Sequence, residues 1–240
     1  MGVIALLKAI TFDFWNTLFV MPRGQHISSK RVEAFNRVLR DMGYHLDNEL
    51  LKQTFFDCWS YAHKYQVENG LDITPLGHVN YILEKLHMNL DAEELKRVYQ
   101  VYTSALIEYP PELNQGVQET VPVLAEKYKL AVICNTGATP GFLLREFMKA
   151  SGIYSFFKVL VFSDEVSWAK PNKKIFDYTL AEMRVNNSEA AHIGDDGSTD
   201  ITGAKIAGMT AIWLAPEERG IIPDYDFHVR SIDELTTLFA

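Results

Sequence analysis

The run ITFDFWNTLF, residues 10–19, opens as a strand: four of its first five residues favour extended backbone. A lone acid, Asp13, then interrupts the apolar pattern, and Asn16-Thr17 ends it. Past the loop FVMPRGQHISS the period becomes helical. Val32, Phe35, Val38, Leu39 and Met42 form one stripe, with Ser28 or Ser29 as the expected cap and Gly43 as the stop. Asp47 caps a second helix reaching toward Gly70, Thr74-Pro75 starts a third, and Asp91 with Glu94 is a capping-box pattern for a fourth. Pro110-Pro111 ends that one. Residues 20–108 are therefore expected to form an all-helical insert.

Beyond the insert, apolar runs of strand length alternate with helical stretches. The runs are KLAVICN (129–135), FKVLVFS (157–163), AAHIGD (190–195) and TAIWLA (210–215). Helices start at Thr139-Pro140 and at Pro171, and a third spans Ser198 to Ala207. Near-continuous apolar strands separated by helices predict a parallel sheet covered on both faces. The reading is an α/β chain: a doubly wound, Rossmann-like core of residues 1–19 and 109–240, with residues 20–108 as an inserted helical cap domain.

Ligands of open parallel sheets sit beyond the carboxyl ends of the strands. Asp13 ends the first strand, and Cys134-Asn135-Thr136-Gly137 ends the second. Lys170 stands just before Pro171, Asp195-Asp196 ends the fourth strand, and Asp200 follows in the next turn. Carboxylates gathered at one edge repel one another, and burial adds a desolvation cost. A hard cation removes both difficulties. Magnesium takes oxygen ligands, usually one or two carboxylates with water and substrate phosphate. Asp13 and Asp195 are the expected direct ligands, with Asp196 or Asp200 binding directly or one layer behind. Lys170 offsets the remaining charge and can hold an anionic substrate or orient the nucleophile.

The formal charge of −8 excludes a partner held by a broad basic face, such as nucleic acid or an anionic membrane surface. It does not exclude a small anion, because a metal and one lysine reverse the field locally. Cys58 and Cys134 lie far apart without metal-ligand spacing, so a reducing, cytoplasmic setting is expected. MGVIALLKAI lacks the basic start of a secretory signal, and no apolar stretch approaches the ~20 residues of a membrane span.

Taken in order, these residues resemble the haloacid dehalogenase superfamily of hydrolases. The likeness lies in Asp13 with Thr17 four residues on, Asn135 after the second strand, Lys170-Pro171, and IGDDGSTDITGAKIAGM from Ile193 to Met209. The insert sits where that family carries a helical cap. The resemblance implies that Asp13 attacks phosphorus and forms an aspartyl-phosphate that water cleaves, with Thr17, Asn135 and Lys170 assisting. It implies that Thr136, Gly137 and Trp15 border the substrate, a small phosphorylated molecule. The metal would be Mg2+, held by Asp13, the Trp15 carbonyl and Asp195 with Asp196 or Asp200.

Two positions depart from the family's pattern. Family phosphatases usually carry a second aspartate where this chain has Trp15; it acts as general acid and base, a role worth roughly 10²–10⁴ in rate. An indole donates one hydrogen bond and cannot shuttle protons, so slow turnover is expected. Cys134 stands where serine or threonine is usual. Three alternatives stay open: a metal-free dehalogenase, whose tyrosine at the Trp15 position is also aromatic; a phosphonate-cleaving enzyme using a cap lysine (Lys30, Lys52 or Lys64); and a non-enzymatic phosphate-binding protein. Phe55, Phe56, Trp59 and Tyr61 are expected to be cap core. Arg23, His26, Lys30 and Arg31 are expected to form a solvated surface, and His192 to be a satisfied core residue. The sequence leaves the substrate's identity and the oligomeric state open.

Overall fold

The computed structural model describes residues 4–22, 24, 26–217 and 223–240. Arg23 lies outside the described residues. In chain order the strands are β1 (Ala9–Phe12), β2 (Phe19–Val20), β3 (Glu112–Leu113), β4 (Lys129–Cys134), β5 (Phe157–Phe162), β6 (Ala190–Gly194), β7 (Thr210–Leu214) and β8 (Phe227–Val229). The helices are α1 (Ile27–Asp41), α2 (Asn48–Asn69), α3 (Thr74–Lys85), α4 (Ala92–Glu108), α5 (Val117–Lys127), α6 (Gly141–Ala150), α7 (Ser163–Val166), α8 (Lys173–Met183), α9 (Thr202–Ala207) and α10 (Glu234–Leu238).

Six strands form one parallel sheet in the order β5-β4-β1-β6-β7-β8. Every residue of β1 is buried, as a central strand covered on both faces requires. Ile10 and Phe12 join the apolar layer under α5, α6 and α10, whereas Ala9 faces the layer of Ile175, Phe176, Leu180 and Ala204 from α8 and α9. The small alanines of β1, β4 and β6 on that second face let the helices approach closely. From β1 the chain adds β4 and β5 on one side, then crosses to add β6, β7 and β8 on the other. The crevice where the order reverses lies at the carboxyl ends of β1, β4 and β6.

The cap leaves through β2 and returns through β3, which pair antiparallel. Asn114 fastens this crossing by donating its Nδ2 to the carbonyls of Asn16 (3.1 Å) and Thr17 (3.0 Å). Helices α1–α4 close around Phe35, Phe55, Val79, Ile82, Val98 and Tyr102. Asp47 accepts from Glu49 and Leu50 N–H, Gly70 ends α2 at φ +63°, and Asp91 with Glu94 forms the capping box read from the sequence.

Some elements differ from expectation. His26 rather than Ser28 or Ser29 precedes α1, and its side chain makes no capping bond. The stretch expected as one helix from Ser198 begins as a wide turn, Gly197–Ile201, before α9. The three-residue β8 is too short to show a period and was not expected.

Candidate active site

Pairing with β6 continues one residue past β1: Asp13 N–H donates to the Ile193 carbonyl at 2.8 Å. This fixes Asp13 at the mouth of the crevice with 6% of its surface exposed. The chain then turns tightly, with Leu18 and Phe19 N–H both donating to the Phe14 carbonyl. Asn16 occupies the left-handed region at φ +57°, which asparagine tolerates better than most residues. Its Nδ2 reaches across to Asp195 Oδ2 at 3.1 Å, tying the β1 loop to the β6 loop.

Lys170 enters from the loop before α8 and is 1% exposed. Its Nζ lies 2.5 Å from Asp13 Oδ1, 2.6 Å from Asp200 Oδ1 and 2.7 Å from the Ile133 carbonyl. Asn135 holds the lysine's main chain: Oδ1 accepts from Lys170 N–H (2.8 Å) and Nδ2 donates to Lys170 O (3.0 Å). The Asn135 amide is thus engaged with Lys170 and positions it.

The ionisation states follow from this geometry. Burial opposes the Lys170 ammonium, but Asp13 and Asp200 outweigh it and hold its pKa above the usual lysine range. For Asp200, burial is outweighed by Lys170 and by a hydrogen bond from His192, so its pKa is held low. Burial pushes Asp13 well above the ordinary carboxylate range, with Lys170 opposing and Asp200 adding repulsion. Asp195 is pushed up to about 6, first by burial and then by the Asp200 charge. One ammonium balances one carboxylate here, and the other two acids of the cluster are held toward protonation.

Asp200 is anchored from several sides. It accepts from Asp196 N–H at 3.1 Å, and His192 Nε2 lies 3.3 Å from its Oδ1. Burial keeps His192 neutral, so Nε2 carries the proton and donates to Asp200. Nδ1 is then the acceptor, and Thr11 donates its hydroxyl to it at 2.8 Å. The core histidine expected from the sequence is satisfied, and it supports the acidic cluster. Gly194 is required beneath it, because a Cβ there would overlap the Asp200 carboxylate. Gly203 is equally constrained: its Cβ would stand 2.6 Å from the Phe176 ring and 3.0 Å from Pro171 Cα, pushing α9 off the lysine loop.

Asp13, Asp195 and Asp200 each offer an oxygen within 4.8 Å of the others. Asp196 lies outside this group. Its Oδ1 caps the following turn, accepting from Ser198 N–H (2.7 Å), Ser198 Oγ (2.6 Å) and Thr199 N–H (3.1 Å). Thr17 is fully buried nearby in sequence, and its Oγ1 has no hydrogen-bond partner. An all-oxygen donor set with excess negative charge suits a hard divalent cation such as magnesium.

Two cavities meet at the site. A polar one of about 220 Å³ is bounded by the three carboxylates, Lys170, Asn135 and Trp15. His63 and Gln66 of α2 also reach it; neither stands out in the sequence, since nothing in a helical stripe marks which turn faces a neighbouring domain. An apolar cavity of about 310 Å³ lies alongside, sharing Trp15 and Asn135 as its wall. Thr136 and Gly137 border this second cavity. Thr136 N–H is already bonded to Ser163 Oγ at 2.9 Å.

The cap residues divide. Phe55 is core, Phe56 and Tyr61 are exposed, and Trp59 lines the apolar cavity. Lys30, Lys52 and Lys64 are exposed, pair with Glu33, Glu49 and Glu68, and line neither cavity. His26 and Lys30 are solvated as expected, but Arg31 is buried at 5% exposure, because α1 turns it inward against Tyr102 and Thr139.

Residues 78–214, more than half of the chain, match the haloacid dehalogenase-like hydrolase family. The chain belongs to that family. Among curated relatives, the hydrolase is 28% identical over 243 residues to the glyceraldehyde 3-phosphate phosphatase of Methanothermobacter thermautotrophicus, covering 97% of this chain and 98% of the relative. It is 38% identical over 98 residues to the pyrimidine 5'-nucleotidase YjjG of Escherichia coli, covering 39% of this chain and 43% of that one. Among solved structures, it resembles a phosphatase of the same superfamily from Thermococcus onnurineus, with TM-score 0.68, 24% identity and 98% of both chains covered. The 2-haloacid dehalogenase of Pseudomonas syringae gives TM-score 0.70 at 20% identity, covering 97% of each chain. These two likenesses concern the fold. The hydrolase therefore has a capped α/β architecture. No helix among the described residues is long and apolar enough to cross a membrane.

Proposed function

We propose that the hydrolase is a magnesium-dependent phosphatase of a small phosphorylated metabolite, acting through phosphorylated Asp13. The observation that carries this reading is the convergence of Asp13, Asp195 and Asp200 on one point, with Lys170 against two of them. On this reading Asp13, Asp195 and the Trp15 carbonyl would hold the cation, with Asp200 behind them and Asp196 shaping the loop. When bound, magnesium would supply Lewis-acid neutralisation of charge on the transferring phosphoryl group.

Asp13 Oδ attacks phosphorus; the new P–O bond forms as the bond to the leaving oxygen breaks. Lys170 balances charge on Asp13 and on the phosphoryl oxygens, and Asn135 keeps it in place. Thr17 completes the loop that presents Asp13, and Thr136 and Gly137 border the departing group. Water then attacks the aspartyl-phosphate, releasing phosphate and restoring the carboxylate. Trp15 cannot give the leaving oxygen a proton or take one from water, so both halves run slowly. The cap, residues 20–108, closes over the core, residues 1–19 and 109–240, and excludes water during the first half. The buried free thiols Cys58 and Cys134, in separate cores, agree with a cytoplasmic setting.

The metal-free dehalogenase alternative is favoured only by the aromatic Trp15, and leaves three close carboxylates without a purpose. A panel of phosphate monoesters, assayed with magnesium and with chelator, tests the reading. Turnover that needs magnesium and disappears in Asp13→Asn supports it. Hydrolysis of 2-haloacids surviving chelation, or phosphate binding without turnover, contradicts it.

A further inference from the structure

Arg31 is 5% exposed and lines the apolar cavity, yet no carboxylate pairs with it among the described residues. Its Nε donates to the Tyr102 carbonyl (2.8 Å) and its Nη2 to Thr139 Oγ1 (3.2 Å). A guanidinium carries five N–H donors. Among the described residues, these two bonds leave Nη1 with no protein acceptor. The Tyr102 ring lies under the guanidinium at 5.4 Å, which steadies a cation but does not neutralise it. The neighbouring titratable group, His78, is held neutral: burial first, then the Arg31 charge, lowers its pKa to about 4. Among the described residues, no acid therefore offsets the charge of Arg31.

Buried cations are ordinarily paired, because an unpaired one forfeits its hydration without return. Arg31 instead lines a cavity walled by Trp15, Met21, Ile27, Trp59 and Leu106. That cavity shares Trp15 and Asn135 with the phosphate chamber, so one molecule can occupy both. Among the described residues, Arg31 is the one cationic side chain in its lining, so against these a monoanion balances the charge.

The geometry points to a subsite for the leaving group: Arg31 binds a carboxylate carried on an apolar or aromatic body, whose phosphate end lies at Asp13. The substrate class is then a carboxylate-bearing phosphate monoester. The ester rests on the phosphatase reading; the carboxylate site does not, and its test needs no turnover.

The test is to titrate 3-phenylpropionate and its neutral counterpart 3-phenylpropan-1-ol into the protein, followed by tryptophan fluorescence, since Trp15 and Trp59 flank the cavity. The acid should bind at least about 10-fold tighter than the alcohol, a difference of roughly 1.4 kcal/mol. The preference should vanish in Arg31→Gln and survive in part in Arg31→Lys. A second measurement covers a variant that fails to fold: in the wild-type chain, NMR shifts on adding the acid, but not the alcohol, should centre on Arg31 Nε–H and Thr139 N–H. Equal binding of acid and alcohol, no binding of either, a preference that persists in Arg31→Gln, or shifts centred on Lys170 instead would overturn the assignment.

Discussion

Lys170 Nζ lies 2.6 Å from Asp200 Oδ1, and each side chain is 1% exposed. This buried pair is the rear wall of the site, and Asp13 joins it from the front. Replacing Lys170 with Met leaves two acids facing each other without a cation. Breaking a buried pair from one side costs about 3–5 kcal/mol. We expect Lys170→Met to lower stability by that order and to cut phosphatase turnover at least about 100-fold. Adding Asp200→Asn should restore part of the stability and none of the turnover. Denaturant melts and steady-state kinetics on the three proteins check this.

Gly194→Ala tests the packing beneath the acidic cluster. Its new methyl would overlap the Asp200 carboxylate. Asp200 must then move away from Lys170 and His192, at a cost of about 1–3 kcal/mol for overpacking. Magnesium affinity should fall as well, because one oxygen of the cluster is displaced. Thermal melts and magnesium titrations report the two effects separately.

The cluster was legible in the sequence because strand-end acids are conspicuous against apolar strands. Asp13, Lys170, Asp195 and Asp200 stand out at strand ends and loops in the sequence, and the sheet brings them together. The parallel sheet was legible for the same reason, since its strands are continuous apolar runs. The cap was legible as helices, through Asp47, Gly70 and the Asp91–Glu94 box, but not as a surface. Arg31 shows why. It stands between the charged, solvated Lys30 and Glu33, and only the packing of α1 on Tyr102 and Thr139 turns it inward. Asn135 also escaped a full reading, because its partner is a main chain 35 residues away.

Magnesium should stabilise the fold more at pH 7.5 than at pH 5. The Asp195 pKa is raised from 3.8 to about 6, so between those values the folded chain keeps a proton that the unfolded chain has released. That contribution to stability is full below about 3.8 and is lost as pH rises through about 6. A cation competes with the same proton and is favoured once it has left. Thermal melts with and without magnesium should show a shift that grows across this window. A shift equal at both pH values would contradict the assignment of Asp195 as a ligand.

Trp15→Asp places a carboxylate two residues after Asp13, where a general acid and base would act. Trp15 is only half-buried and its main-chain carbonyl is unchanged by the substitution, so the loop should tolerate it. We expect kcat on phosphate monoesters to rise about 10–100-fold, within the range general acid–base catalysis supplies. The leaving-group dependence should also weaken, since the alkoxide would then be protonated as it departs. Rates compared across phenyl phosphates of differing leaving-group pKa measure both.

On the proposed reading, Asp13 and Asp195 hold one divalent cation, with Asp200 completing the acidic cluster behind them. Calorimetric titration of magnesium into the wild-type chain and into Asp195→Asn at pH 7.5 tests it most directly. One saturable site per chain in the wild type, lost or at least about 10-fold weaker in the variant, is the predicted result. No saturable binding to the wild type, or equal binding to both proteins, would contradict it.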